Sequence, residues 1–89
     1  MLLKVRFSNA VEEFLVGLSK TDEKLYRIIK AHVLKLPETY RSDPFLRGGR
    51  FQGMRRHRVG DYRIIYRVIH NQLMIYVVEI GHRREVYDR

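Results

Sequence analysis

Cysteine is absent from this 89-residue chain. That excludes disulfides, thiolate metal sites and thiol nucleophiles, and it suits a reducing compartment. No apolar run reaches the length of a membrane span, and the opening Met1-Leu2-Leu3-Lys4-Val5-Arg6-Phe7 is too short for a signal peptide. These absences lead us to expect a soluble, cytoplasmic protein with no membrane partner. Internal repeats and low-complexity segments are missing as well. With 45% hydrophobic residues the chain can build one modest core, so a single domain over residues 1–89 is expected.

Acidic residues are the next shortage: 10 against 18 Lys and Arg, a net charge of +8. Such an excess points to a polyanionic or acidic partner. Lysine itself disappears after Lys35, and from Arg47 onward ten arginines face four acidic residues. The planar fork of arginine suits bidentate phosphate contacts, so the second half of the chain reads as a phosphate-binding half.

Alternation of Leu3, Val5 and Phe7 with Lys4 and Arg6 predicts a first strand. Ser8 or Asn9 then caps a helix whose stripe is Val11, Phe14, Leu15 and Leu18. Thr21 or Asp22 starts a second helix, with Leu25, Ile28, Ile29, His32, Val33 and Leu36 on one face and Pro37 as its stop. His32 lies in the apolar stripe with no second ligand at helical spacing, which favours a hydrogen-bonded core-edge histidine. Glu38 to Gly49 read as a surface loop punctuated by Pro44 and Gly48-Gly49.

The organising stretch is Arg55-Arg56-His57-Arg58-Val59-Gly60-Asp61-Tyr62-Arg63-Ile64-Ile65-Tyr66-Arg67. It reads as a β-hairpin turning at Gly60-Asp61. Val59 then pairs with Tyr62, and Arg58 sits opposite Arg63 with Arg56 on the same face. Like charges facing across a strand pair are destabilising, so a stack of three guanidiniums implies an anion between them. After a turn near His70-Asn71-Gln72, Leu73 to Ile80 is the most apolar run and predicts a central strand. The expected fold is therefore α+β, in the order β-α-α-β-β-β, with two helices on one face of a curved, mostly antiparallel four-stranded sheet. Val59, Tyr62, Ile64, Tyr66 and Val68 would face the helices, and His57 would join them as a structural residue. Arg56, Arg58 and Arg63 would line an uncovered, concave basic face.

His82, Arg83, Arg84, Glu85 and Tyr87 follow the central strand, whose end would lie beside Arg63. The candidate constellation is Arg56, Arg58, Arg63, His82, Arg83 and Tyr87, with Arg55, Arg67 and Arg84 extending it as RNA-binding candidates. An aromatic ring among arginines can stack a base while its phosphate is held alongside. No metal-ligand set is apparent, since the histidines are scattered and the carboxylates do not cluster, and no cofactor is expected. RNA can still be cut by its own 2′-hydroxyl, given a base, an acid and cations for the growing phosphate charge. Arginine supplies the last; His82 and Tyr87 are the candidates for proton transfer.

Arg58-Val59-Gly60-Asp61-Tyr62-Arg63-Ile64-Ile65-Tyr66, with Ile80-Gly81-His82-Arg83-Arg84-Glu85-Val86-Tyr87, resembles the RelE branch of the RelE/ParE toxin superfamily. The helix from Ser8-Asn9-Ala10 to Leu18 matches too. This resemblance implies a microbial-ribonuclease-like sheet and mRNA cleavage in the ribosomal A site by a type II toxin. It also implies a cognate acidic, RelB-like antitoxin that neutralises the toxin in a hetero-oligomeric complex. On the same ground Arg63 and Arg83 would stabilise the phosphate in the transition state. Arg56 and Arg58 would hold the RNA, and Tyr87 would stack on a base or transfer a proton. The chain departs from the family pattern in one respect: Arg56 and Arg58 stand where members that transfer a proton from this arm carry lysine. That leaves the base to His82 or Tyr87. Two other readings stay open, a ParE-like gyrase inhibitor that is not an enzyme, and a catalytically inactive nucleic-acid-binding member.

Overall fold

A computed structural model describes residues 3–82. Strand β1 (Lys4–Phe7) leads into helix α1 (Asn9–Thr21), and helix α2 (Glu23–Thr39) follows after one residue. The remaining strands are β2 (Arg55–Val59), β3 (Tyr62–Ile69) and β4 (Met74–His82). They form one open mixed sheet in the order β1-β4-β3-β2, with β1 parallel to β4 and the other pairs antiparallel. The expected α+β order is thus observed, with β4 and β3 in the interior.

The helix starts follow from their caps. Ser8 Oγ accepts from the Val11 N–H at 3.2 Å and donates to the Val78 carbonyl at 2.9 Å, so one hydroxyl both caps α1 and ties it to β4. Asp22 caps α2 by accepting from the Leu25 N–H at 3.1 Å. Pro37 does not end α2, contrary to expectation. Its missing N–H forfeits one bond near the helix end, and the next turn continues through the Tyr40 N–H to the Leu36 carbonyl. The stripe of α2 is also rotated from the expected one. Ile29, Val33 and Leu36 are fully buried, Tyr26 joins them at the edge, and Ile28 and His32 are exposed.

The core lies between the helices and one face of the sheet. It holds Val11, Leu18, Ile29, Val33, Leu36, Val59, Ile64, Tyr66, Ile75, Val77 and Ile80, with Tyr62 and Val68 packed against it. The predicted core face of the hairpin is therefore the observed one. The opposite face is not wholly uncovered, and here the expectation is corrected. The segment after α2 folds back so that Leu46, Phe51 and Met54 pack on Ile65 and Val78, closing a second small cluster. Gly48, Gly49 and Gly53, at φ of 76°, 71° and 83°, make that fold-back sterically accessible. The same segment shields the edge of β2: Phe45 bridges Arg55, and the Arg56 N–H donates to the Pro44 carbonyl.

Candidate nucleic-acid interface

The hairpin has the register read from the sequence. Gly60 takes a φ of 59°, Val59 pairs with Tyr62, and Arg58 stands opposite Arg63. Cross-strand partners share a face, so rows of side chains can be followed across three strands. One row on the outer face is Arg56, Ile65 and Glu79; the next is Arg58, Arg63 and Gly81. Gly81 contributes no side chain beside Arg63. The Arg63 guanidinium is nearly buried and is aimed by its own hairpin, with one amino group donating to the carbonyls of Gly60 and Tyr62 at 3.3 and 3.1 Å. Arg58 is exposed and Arg56 half-buried. The carbonyls of Gly60 and Tyr62 fix the guanidinium of Arg63 at the turn end of β3.

A β-bulge shapes this face. Ile65 pairs with Glu79 but Tyr66 pairs with Val77, which leaves Val78 as the extra residue on β4. Bulges re-aim side chains next to functional sites. Here the bulge lets Val78 pack on the outer cluster while Glu79 shares the row of Arg56. Glu79 is buried, and sequence reasoning passed it over. Its signal was available: it is the one charged residue between Leu73 and Ile80.

Other candidates lie elsewhere. His82 pairs with Tyr62 and so lies on the helix-facing side, where its ring meets the Tyr62 ring edge-on at 5.6 Å. Gly81 takes the position beside Arg63, and the next residue turns to the other face. Arg55 also sits on the helix side, opposite Tyr66. It donates to the carbonyls of Tyr40 and Asp43 at 3.1 and 2.9 Å, and it lies over the rings of Phe45 and Tyr40. Arg67 is exposed on the outer face, opposite Tyr76. In the loop, Arg50 stacks on Phe51 at 4.6 Å. Arg83, Arg84 and Tyr87 lie outside the described residues.

His57, expected as a structural residue of the helix side, anchors a polar chain there. Its Nδ1 lies 3.0 Å from both carboxylate oxygens of Asp43, and Asp43 Oδ2 accepts from the Tyr66 hydroxyl at 2.5 Å. Burial, and then the bond to Asp43 and its charge, raise the Tyr66 phenol well above its ordinary range, with the Arg55 cation opposing. His32 Nδ1 meets His57 Nε2 at 2.9 Å, the hydrogen bond expected of it. Among the described residues no group of three or more His, Asp or Glu is placed to hold a metal ion, and no helix is long and apolar enough to cross a membrane.

The family model for the ParE toxin of the type II toxin-antitoxin system parDE matches residues 5–87. The chain belongs to the RelE/ParE toxin superfamily. As a member it is a toxin of a type II toxin-antitoxin system. Solved structures share its fold. The RelBE2 toxin-antitoxin complex of Mycobacterium tuberculosis matches with a TM-score of 0.77 at 21% identity, over 93% of this chain and 100% of that one. A mutant of the E. coli toxin RelE in the free state gives 0.71 at 22% identity, over 99% and 90%. The isolated E. coli RelE toxin gives 0.67 at 24%, over 97% and 92%. No curated protein matches the sequence.

Proposed function

We propose that this RelE/ParE toxin is a ribosome-dependent endoribonuclease that cuts mRNA in the A site. The observation that carries this reading is the outer face of the hairpin, where Arg58 and Arg63 stand opposite one another with Arg56 in the adjacent row. In the proposed reaction the 2′-hydroxyl of a nucleotide attacks the adjacent phosphate and the 5′-oxygen of the next nucleotide leaves. Arg63 contacts the phosphate oxygens as charge grows on them, which is where a fixed cation lowers the barrier most. Arg56 and Arg58 hold the strand, with Arg67 and Arg84 extending the track and Arg83 sharing the phosphate. Arg55 serves the same surface at one remove, by fixing the start of β2. Tyr87 stacks on a base or passes a proton, and His82 acts from the strand end.

Glu79 has a separate role in this reading. It is the resident counter-charge of the arginine face, offsetting guanidinium repulsion before RNA arrives. The partner is an acidic, RelB-like antitoxin whose carboxylates cover the same guanidiniums in a hetero-oligomeric complex, with association sped by charge complementarity. The test is cleavage of an mRNA in a purified translation system. A-site cuts that vanish with Arg63→Ala support the nuclease; undisturbed translation sinks it. The ParE family match favours one second reading, a non-enzymatic gyrase inhibitor. Loss of supercoiling by purified gyrase, without mRNA cuts, would select it.

A further inference from the structure

The helix side of the hairpin carries a second polar assembly that the nuclease reading does not use. We infer that His32 and His57 form a two-imidazole site for a divalent transition metal of the copper(II) or nickel(II) class. The two ring nitrogens come from different elements, α2 and β2, and meet at 2.9 Å. They open on a cavity of about 410 Å³ lined by Ala31, His32, Lys35, Thr39 and His57.

Three features make this more than a chance meeting of rings. First, the proton on His57 is already placed. Asp43 receives His57 Nδ1 with both oxygens at 3.0 Å and is itself held by the Tyr66 hydroxyl, so the lone pair is on Nε2, where it accepts from His32 Nδ1 until a metal ion entering from the cavity takes that place. A carboxylate behind an imidazole is the usual outer support of a metal-bound histidine, fixing its tautomer and raising its basicity. Second, both rings can offer a nitrogen at once: His57 keeps a proton toward Asp43, and His32, on an exposed residue, can carry its proton on Nε2 and turn Nδ1 to the metal. Third, the donor type narrows the metal: imidazole nitrogens suit copper(II) and nickel(II), and copper(II) stands highest among the divalent ions in affinity for such donors. Water completes the coordination from the cavity. Lys35 on the wall opposes the added charge and Asp43 offsets it.

Bound metal would staple α2 to β2 on the side of the sheet away from Arg58 and Arg63, so the inference is independent of the nuclease reading. The experiment is a titration of the full chain with Cu2+ and, separately, Ni2+. It is read by calorimetry, by thermal unfolding and by the nitrogen splitting in the Cu2+ paramagnetic resonance spectrum. We expect one ion per chain, a two-nitrogen spectrum and a higher Tm. His32→Ala, on an exposed helix position where alanine keeps the helix, should cost at least tenfold in affinity and erase one nitrogen. Asp43→Asn should weaken binding about 10–100-fold while leaving both nitrogens in the spectrum. His70→Ala should change nothing. Unchanged affinity and spectrum in His32→Ala, with the fold intact by circular dichroism, would overturn the assignment, as would absence of binding by the unaltered chain.

Discussion

The two faces of one hairpin use the same residue types to opposite ends. Arg55 and His57 project to the helix side, where carbonyls, a carboxylate and aromatic rings engage them. Arg56, Arg58 and Arg63 project to the other side, where Arg58 stands opposite Arg63 and the buried Glu79 closes the row of Arg56 across Ile65. The alternation of the strand decides which arginine is structural and which is offered to a partner. Residue type does not: Arg55 and Arg56 are neighbours in sequence, and the side chain of the first clamps the loop while that of the second shares the outer face with Arg58 and Arg63.

The comparison breaks most visibly with paired alanine variants. Arg63→Ala should reduce mRNA cleavage by about 10²–10³-fold, the usual cost of removing one transition-state contact. Arg55→Ala should instead lower stability by about 1–3 kcal/mol, from the loss of two part-buried charge-assisted hydrogen bonds to the carbonyls of Tyr40 and Asp43, and preserve cleavage per folded molecule. Denaturant midpoints and single-turnover cleavage measured on both variants check the pair. A loss of cleavage in Arg55→Ala as deep as in Arg63→Ala would erase the distinction between the faces.

Glu79→Gln sharpens the same contrast from the acidic side. Removing the resident negative charge should destabilise the free toxin by about 1–3 kcal/mol, because the arginine face loses its opposing charge and the buried side chain loses a charged hydrogen-bonding group. RNA binding should tighten, because phosphate no longer competes with a carboxylate. Thermal unfolding and salt-dependent RNA affinity read the two effects separately. Weaker RNA binding in this variant would show that Glu79 orients the arginines for RNA instead of standing in for it.

Much of this architecture was legible because it depends on local periodicity. The period-2 pattern of Tyr62 to Val68 and the Gly60-Asp61 turn fixed the register that puts Arg58 against Arg63. What escaped was set by distant contacts. The run Leu73 to Ile80 bears no local mark of the bulge at Val78, because its apolar residues satisfy either face. The side on which His82 lies follows from its pairing with Tyr62, and the residue-by-residue count past Gly81 decides it. The fold-back over Ile65 rests on Phe51 and Leu46, which look like loop residues until the glycines between them take positive φ. Asp43, the centre of the helix-side network, sits in a loop next to Pro44, and its partners His57 and Tyr66 lie 14 and 23 residues away. The outer arginines were readable as a site, whereas Glu79, at the β4 end of the Arg56 row, had only its charge within an apolar run to announce it.

The smallest effect probes the helix side through pH. Tyr66 is fully buried, and its phenol ionises well above the ordinary value of 10.0 because burial, and then Asp43, disfavour the phenolate. Below pH 10 the phenol is protonated in folded and unfolded chains alike, so its contribution to stability is constant there. Above that value the unfolded chain releases the proton and the folded chain keeps it, so stability falls as pH rises. One such group adds about 1.4 kcal/mol per pH unit to the alkaline decline. Tyr66→Phe should cost about 1 kcal/mol at pH 8, from the lost bond to Asp43, yet decline less steeply above pH 10. Denaturant midpoints of both proteins at pH 8, 10 and 11 should therefore converge with increasing pH. Parallel curves would mean that the hydroxyl is no more perturbed in the folded protein than in the unfolded chain, and the helix side would lose its claim to a polar network that holds the phenol protonated.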